Sequence, residues 1–260
     1  MPIKSNYRIK GDMDGKITEL AQMIRESNSI VFYGGAGVST ESGVKDYRSE
    51  DGLYNTVKEY GVSPEEILSH DFFVRDPKTF YDFYRNYFLC DAKPNAAHFA
   101  LAELEKMDKL KAVITQNIDG LHQAAGSKNV LELHGTVKKY YCSGCGCDCG
   151  DVSPIISAGE LPRCKRCGGI IKPRVVLYGE MLDETVIEKA IRAIEGADML
   201  IVGGTSLAVS PANTFVRCFM GKYAVMINQT STDYDHRAQL IIRDKIGTVL
   251  SAVMKELKCK

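Results

Sequence analysis

SIVFYGGAG, residues 29–37, joins an apolar run to a cluster of glycines. Ser29 to Tyr33 follows a helix stop and leads straight into glycine, so it reads as a short buried strand. Gly34-Gly35-Ala36-Gly37 then lets backbone come close to whatever lies beyond the strand end. A pyrophosphate at a phosphate loop and a sharp structural turn both use such a sequence, and the glycines alone leave both open. Ser39, Thr40 and Ser42 add small hydrogen-bonding groups after it.

Upstream, Ile17, Leu20, Ala21, Met23 and Ile24 share one face of a helix expected from Asp14 to Ser27. Downstream, Ala97, Leu101 and Leu104 mark a helix from Pro94 or Asn95 to Lys106, and Leu110 to Thr115 is strand-like. Gln116 to His122 should lie at that strand's carboxyl edge. Pro173 to Leu177, Met199 to Val202 and Tyr223 to Ile227 are further strand candidates, separated by helical stretches. Such alternation predicts an α/β fold with an open, Rossmann-like parallel sheet whose strand ends converge on one cleft.

Two regions break the alternation. Pro64 to Tyr87 is rich in Phe and Tyr and reads as a helical excursion, and residues 138–172 carry paired cysteines and turn residues. The expected organisation is one discontinuous domain. Its Rossmann-like segments are roughly 1–44, 95–136 and 174–260, and its smaller helical and zinc-binding lobe is built from roughly 45–94 and 137–173. No internal repeat or low-complexity tract appears.

With 260 residues the chain can bury a substantial core. Thirty-three Lys and Arg balance 33 Asp and Glu, so no global charge calls for nucleic acid. The first twenty residues hold no secretory apolar segment, and the apolar runs are too short to span a bilayer. A cytoplasmic chain with no nucleic-acid or membrane partner is expected.

Of nine cysteines, six lie between Cys142 and Cys167, while Cys90, Cys218 and Cys259 are dispersed. CSGC (Cys142, Cys145) and CKRC (Cys164, Cys167) can bring four thiolates around one tetrahedral zinc. Four cysteine ligands leave no position for a metal-bound water, so the ion would be structural. Cys147 and Cys149 complicate the assignment, since either could replace a ligand or bind metal under altered redox conditions.

Polar groups cluster after the strand candidates. Asn117 can orient ribose hydroxyls, Asp119 can recognise an amide donor, and His134 can accept a proton near neutral pH. A hydrogen-bonded structural histidine is the rival reading of His134. Gly203-Gly204-Thr205-Ser206 can complete a dinucleotide site or form a small-residue turn, and Asn228 can bind ribose or cap a turn. Arg48 suits an anion or a loop-fixing ion pair.

The ordered set GAGVSTESG (35–43), Asp46-Tyr47-Arg48, TQNIDGLHQAAG (115–126), LHG (133–135), KPRVVLYGE (172–180) and GTSLAVSPA (204–212) resembles the sirtuin family over nearly the whole chain. The match is to a compact bacterial-type catalytic core. The resemblance implies NAD-dependent removal of acetyl groups from protein lysines, giving nicotinamide and O-acetyl-ADP-ribose, with NAD as co-substrate and one structural zinc. Protein ADP-ribosyl transfer and noncatalytic NAD sensing are the alternatives. It implies that Ala36, Thr40, Tyr47, Arg48, Gln116, Ile118, Asp119 and His134 surround the nicotinamide and its ribose. Thr205, Ser206, Asn228 and the backbone near Ile246 would serve the other half. His134 would be the general base on a ribose hydroxyl and Asn117 a catalytic partner. An acyl-lysine peptide would add as a strand to Val175–Leu177 and a loop near Leu207–Val209.

The chain departs from the family at Lys45 and Tyr47, where proline and phenylalanine are usual, and at Tyr178, which replaces a common phenylalanine. A site for succinyl or malonyl groups would carry tyrosine followed three residues later by arginine. Here those positions are Tyr84 and Tyr87, so an acetylated or other uncharged acyl-lysine protein is the expected substrate.

Overall fold

The computed structural model describes residues 5–44, 57–89 and 91–258. Among them a six-stranded sheet is built from β1 (Ile30–Gly34), β2 (Leu110–Thr115), β3 (Val130–Glu132), β6 (Met199–Gly203), β7 (Tyr223–Ile227) and β8 (Leu240–Ile242). The order is β3-β2-β1-β6-β7-β8, and every neighbouring pair is parallel. β1 and β6 are buried along their whole length, which is why they read as continuous apolar runs rather than as alternating ones.

Apolar clusters cover both faces. Against one face pack α1 (Ser5–Glu26), α6 (Ala96–Lys106) and α10 (Ile246–Lys258), through Leu20, Ile24, Leu101, Leu104, Val249 and Val253. Against the other pack α9 (Glu184–Glu195) and the 3-10 turn Ala212–Cys218, through Ala190, Ile194, Phe215 and Val216. Helix α1 begins at Ser5, well before the expected Asp14, because the apolar spacing that reveals it starts at Ile17. Helix α6 starts where Asn95 accepts from Ala97 N–H while His98 Nδ1 accepts from Asn95 N–H, a reciprocal cap.

A third apolar cluster joins α3 (Pro64–Ile67), α4 (His70–Arg75) and α5 (Pro77–Phe88) to β4 (Gly135–Cys142) and β5 (Ile171–Val175). Phe80, Phe83, Tyr84 and Tyr140 are fully buried in it, each aromatic contributing about 1.5–3 kcal/mol through burial. Here one expectation is corrected. The Pro173–Leu177 candidate is not a strand of the parallel sheet: β5 starts at Ile171 and pairs antiparallel with β4 in a separate two-stranded sheet. Lys172 and Arg174 break the apolar run that a strand covered on both faces requires.

The chain runs from β1 out to β2 and β3, then returns to place β6 on the other side of β1. Strand order therefore reverses between β1 and β6, and a crevice opens there outside the carboxyl ends of the strands.

Candidate active site and metal centre

Two glycine-bearing loops meet at that crevice. Gly37 N–H donates to Gly204 O at 2.8 Å. A Cβ on Gly37 would lie 2.8 Å from Gly204 Cα, and one on Gly35 would lie 2.9 Å from Gln116 Oε1. Gly204 has φ 61, a left-handed conformation suited to glycine. Such packing brings the two loop backbones together beside the crevice, an arrangement suited to close approach of a dinucleotide.

The segment after β2 supplies the polar groups. Gln116 N–H donates to Gly34 O, its Nε2 donates to Tyr33 OH at 3.1 Å, and its Oε1 accepts from Thr205 Oγ1 at 3.2 Å. Asn117 Nδ2 donates to Ser39 Oγ at 2.9 Å, and Ser39 Oγ donates in turn to Asp119 Oδ2 at 2.6 Å. The other Asp119 oxygen accepts from Leu121 N–H at 2.9 Å. Both oxygens of the carboxylate are thus oriented, and buried Ser39 links it to Asn117.

His134 sits in the short turn from β3 to β4. Its carbonyl accepts from Val176 N–H, and Nδ1 lies 2.9 Å from Gln116 O. A carbonyl can only accept, so Nδ1 carries the proton and Nε2 is the basic nitrogen of the neutral ring. Gly135 follows at φ 74, where a Cβ would come within 2.0 Å of Arg174 O, so the turn that presents His134 requires glycine.

A cavity of about 570 Å³ is lined by Ala36, Ser39, Gln116, Asn117, Ile118, Asp119 and His134 on the large-sheet side. Leu68, Tyr87, Phe88, Val137 and Val175–Leu177 line the other side. Of the remaining expected site residues, Thr40 is exposed beside the glycine loop and Ser206 is exposed after β6, while Thr205 and Asn228 are buried. Thr205 N–H donates to Asn228 Oδ1 at 3.0 Å, and the buried Asn228 Nδ2 has no partner, a donor suited to a ligand oxygen. Ile246 is buried under Gly203, where a Cβ would lie 2.4 Å from its Cδ1. Tyr47 and Arg48, with Lys45 and Asp46, lie outside the described residues. The peptide segment is partly committed: Val176 N–H bonds His134 O, Leu177 N–H bonds Glu180, and Tyr178 N–H bonds Leu68 O. Leu207 is buried, with its carbonyl bonded by Asn213 Nδ2, whereas Val209 lines the cavity.

Sequence reading missed two supports. Lys172 Nζ is buried and donates to Val175 O at 2.8 Å and to Glu180 Oε2 at 2.9 Å. Burial pushes the Lys172 ammonium down, while burial of Glu180 is outweighed by hydrogen bonds from Leu177 N–H, His70 and Lys172 that hold its carboxyl low. The second is a buried histidine pair, His98 and His122, with ring centroids 4.7 Å apart. Burial pushes His98 down to about 4 and, with the neighbouring His98, pushes His122 down to about 3. The signal for the first support was the charge pair inside KPRVVLYGE; the histidines gave none beyond their helical neighbours.

At the far end of β4 the four sulfurs of Cys142, Cys145, Cys164 and Cys167 lie within 4.8 Å of one another. Zn–S bonds of about 2.3 Å imply sulfur separations of about 3.8 Å, and Cys142–Cys167 at 3.4 Å and Cys145–Cys164 at 3.9 Å bracket that. Backbone N–H groups of Gly144, Arg166 and Gly169 point at Cys142, Cys164 and Cys167 sulfur at 3.4 Å. The donor set fits a closed structural zinc.

A profile of the Sir2 family matches residues 35–211. An NAD-dependent protein deacetylase of Clostridium acetobutylicum is 52% identical over 92% of this chain and 98% of its own. One of Clostridium perfringens is 53% identical over 93% and 100%. A solved structure described as Sir2–p53 peptide–NAD+ superposes with a TM-score of 0.81 at 36% identity, covering 92% of this chain and 97% of that one. The cavity at the strand reversal, the cysteine centre and these matches together make the chain a member of the Sir2 family.

Proposed function

We infer that the chain is an NAD-dependent protein deacetylase that uses NAD as co-substrate and carries one structural zinc on Cys142, Cys145, Cys164 and Cys167. The observation that carries this reading is the convergence of His134, Gln116, Asn117 and Asp119 on one cavity beside the interlocked glycine loops. NAD supplies a ribose–nicotinamide bond that is broken as an acyl oxygen replaces nicotinamide.

The residues divide that work by position. Asp119, fixed on both oxygens, and Ile118 face the carboxamide, and Asn117 with Gln116 orients the ribose hydroxyls. His134 Nε2 takes a proton from a ribose hydroxyl, while the Gln116 carbonyl holds Nδ1–H and so fixes the tautomer. Ala36 and Thr40 serve the nicotinamide half, and on the family resemblance Tyr47 and Arg48 would serve it too. Thr205, Ser206, Asn228 and the Ile246 backbone receive the other half, the buried Asn228 Nδ2 giving a donor there. The lysine channel runs between a Rossmann-like part and a smaller lobe, a division that the separate two-stranded sheet and the third apolar cluster support.

The substrate is an acetylated, or otherwise uncharged acylated, protein lysine. Among the described lining residues the charged side chains are Asp119, Glu180 and Glu184, all of which would repel an acyl carboxylate. Tyr84 faces Tyr140 in the core, and Arg85 is paired with Asp82. We place the enzyme in the cytoplasm, where reducing conditions keep thiolates available for zinc; no described helix is long and apolar enough to cross a membrane.

The test is mass spectrometry of an acetyl-lysine peptide incubated with enzyme and NAD, beside no-NAD and His134→Ala controls. NAD-dependent loss of acetyl with matching O-acetyl-ADP-ribose is expected. Transfer of ADP-ribose to protein without acetyl loss, or NAD binding without nicotinamide release, would replace this reading.

A further inference from the structure

Cys147 and Cys149 remain once four thiols are assigned to one tetrahedral ion. Their placement follows from the backbone. Gly146 turns the chain at φ 71, and residues 147–149 run back beside β4: Cys142 N–H donates to Cys147 O at 2.9 Å, and Cys149 N–H donates to Tyr140 O at 3.1 Å. Tyr141 and Asp148 form an antiparallel bridge. Alternate residues of extended chain face opposite ways. Asp148 accordingly faces Arg174 at 3.7 Å, while Cys147 and Cys149 face the other thiols.

The sulfur geometry is that of ligands rather than of scattered thiols. Cys147 Sγ lies 3.4 Å from Cys145 Sγ, 3.6 Å from Cys164 Sγ and 4.0 Å from Cys149 Sγ. The separations from Cys164 and Cys149, the two sulfurs with which Cys147 would share an ion, straddle the value of about 3.8 Å expected between thiolates on one zinc. The sulfurs of Cys147, Cys149 and Cys164 all lie within 4.8 Å of one another, as do those of the tetrad, and Cys164 belongs to both groups.

We propose that this centre holds a second soft divalent ion, with Cys147 and Cys149 as terminal ligands and the Cys164 thiolate shared between the two ions. Three soft thiolates select an ion of the zinc and cadmium type. The positive charge of the added ion is balanced by the two added thiolates, whose protons pass to solvent on binding. With three protein thiolates against four, the second ion keeps a coordination position open to solvent and exchanges faster than the first.

The experiment titrates reduced, metal-free full-length chain with zinc and, in parallel, with cadmium, following bound metal by mass spectrometry under native conditions. A Cys147→Ser/Cys149→Ser variant, which keeps the whole tetrad and therefore folds, is titrated beside it. The wild type is expected to take two ions, the second lost first to a mild chelator, and the variant to take one at unchanged thermal stability. Cadmium NMR of the wild type should show two resonances split by coupling through the shared sulfur. A wild type that saturates at one ion, or a variant that still takes two, would overturn the second site.

Discussion

His134 Nδ1 and the Gln116 carbonyl stand 2.9 Å apart across the join between the large sheet and β4. The contact fixes which nitrogen faces the cavity, so removing the half-buried ring removes the proton acceptor. His134→Ala should lower acetyl-lysine turnover by about 10²–10⁴-fold, the usual worth of a positioned base. Zinc content and far-UV circular dichroism should stay at wild-type levels. Wild-type turnover in the folded variant would remove His134 from the chemistry.

Cys142 is buried at the end of β4 inside the small-lobe core. Structural zinc binding is worth roughly 10–16 kcal/mol, comparable to the whole stability of a domain of about 5–15 kcal/mol. Cys142→Ala, made together with Cys147→Ser and Cys149→Ser so that no neighbouring thiol can stand in, should lose zinc and become protease-sensitive between residues 137 and 173. Elemental analysis and limited proteolysis read both; one retained equivalent of zinc would contradict the ligand assignment.

Lys172 braces the segment that lines the cavity at Val175–Leu177, through Val175 O and Glu180. Lys172→Met leaves the Glu180 carboxylate with Leu177 N–H and His70 but without its buried cation. A loss of about 1–3 kcal/mol in denaturant unfolding is expected, less than for a fully buried pair because Glu180 is partly exposed. The KM for acetyl peptide should rise more than kcat falls. A kcat effect with unchanged KM would place Lys172 elsewhere in the cycle.

His98 and His122 are held neutral by burial, at about 4 and about 3 against an ordinary 6.5, with Asp119 raising His98 slightly. In the unfolded chain both protonate near 6.5, so the unfolded state binds more protons below that pH. Stability is fully present above about 6.5 and falls as pH drops toward 4, by up to about 1.4 kcal/mol per unit for each ring. His98→Gln keeps an acceptor for the Asn95 cap but cannot titrate. Urea unfolding between pH 7 and 4.5 should therefore show a shallower slope in the variant; equal slopes would mean the pair is not responsible.

Local chemistry explains what was legible. Leu110–Thr115 and Tyr223–Ile227 were readable to the residue because each is an apolar run flanked by turn or charged residues. The excursion from Pro64 to Tyr87 resolves into three helices, two of them opened by Ser63 and Ser69 side-chain caps. Pro173–Leu177 misled because side-chain pattern does not tell a strand's partner; its register with β4 is set by contacts far along the chain. β8 is three residues long, too short to carry a period, and α10 follows it with its apolar spacing at Val249, Leu250, Val253 and Met254 unread. Asn117 and Asp119 stood out by type and position. That Ser39 ties them together could not, because hydrogen bonds between loops after different strands leave no spacing in the sequence.

Gly37 and Gly204 each occupy the space where the other's Cβ would go. The nearest obstacle at each position is backbone, with Val38 Cγ2 also 2.9 Å from a Cβ on Gly204, and neither glycine has a side chain left to shrink. A larger residue at one therefore has no compensating change at the other, and any second-site suppressor of such a mutation must act by shifting a whole loop. In genetic terms the two positions behave as a single locus with one permitted allele.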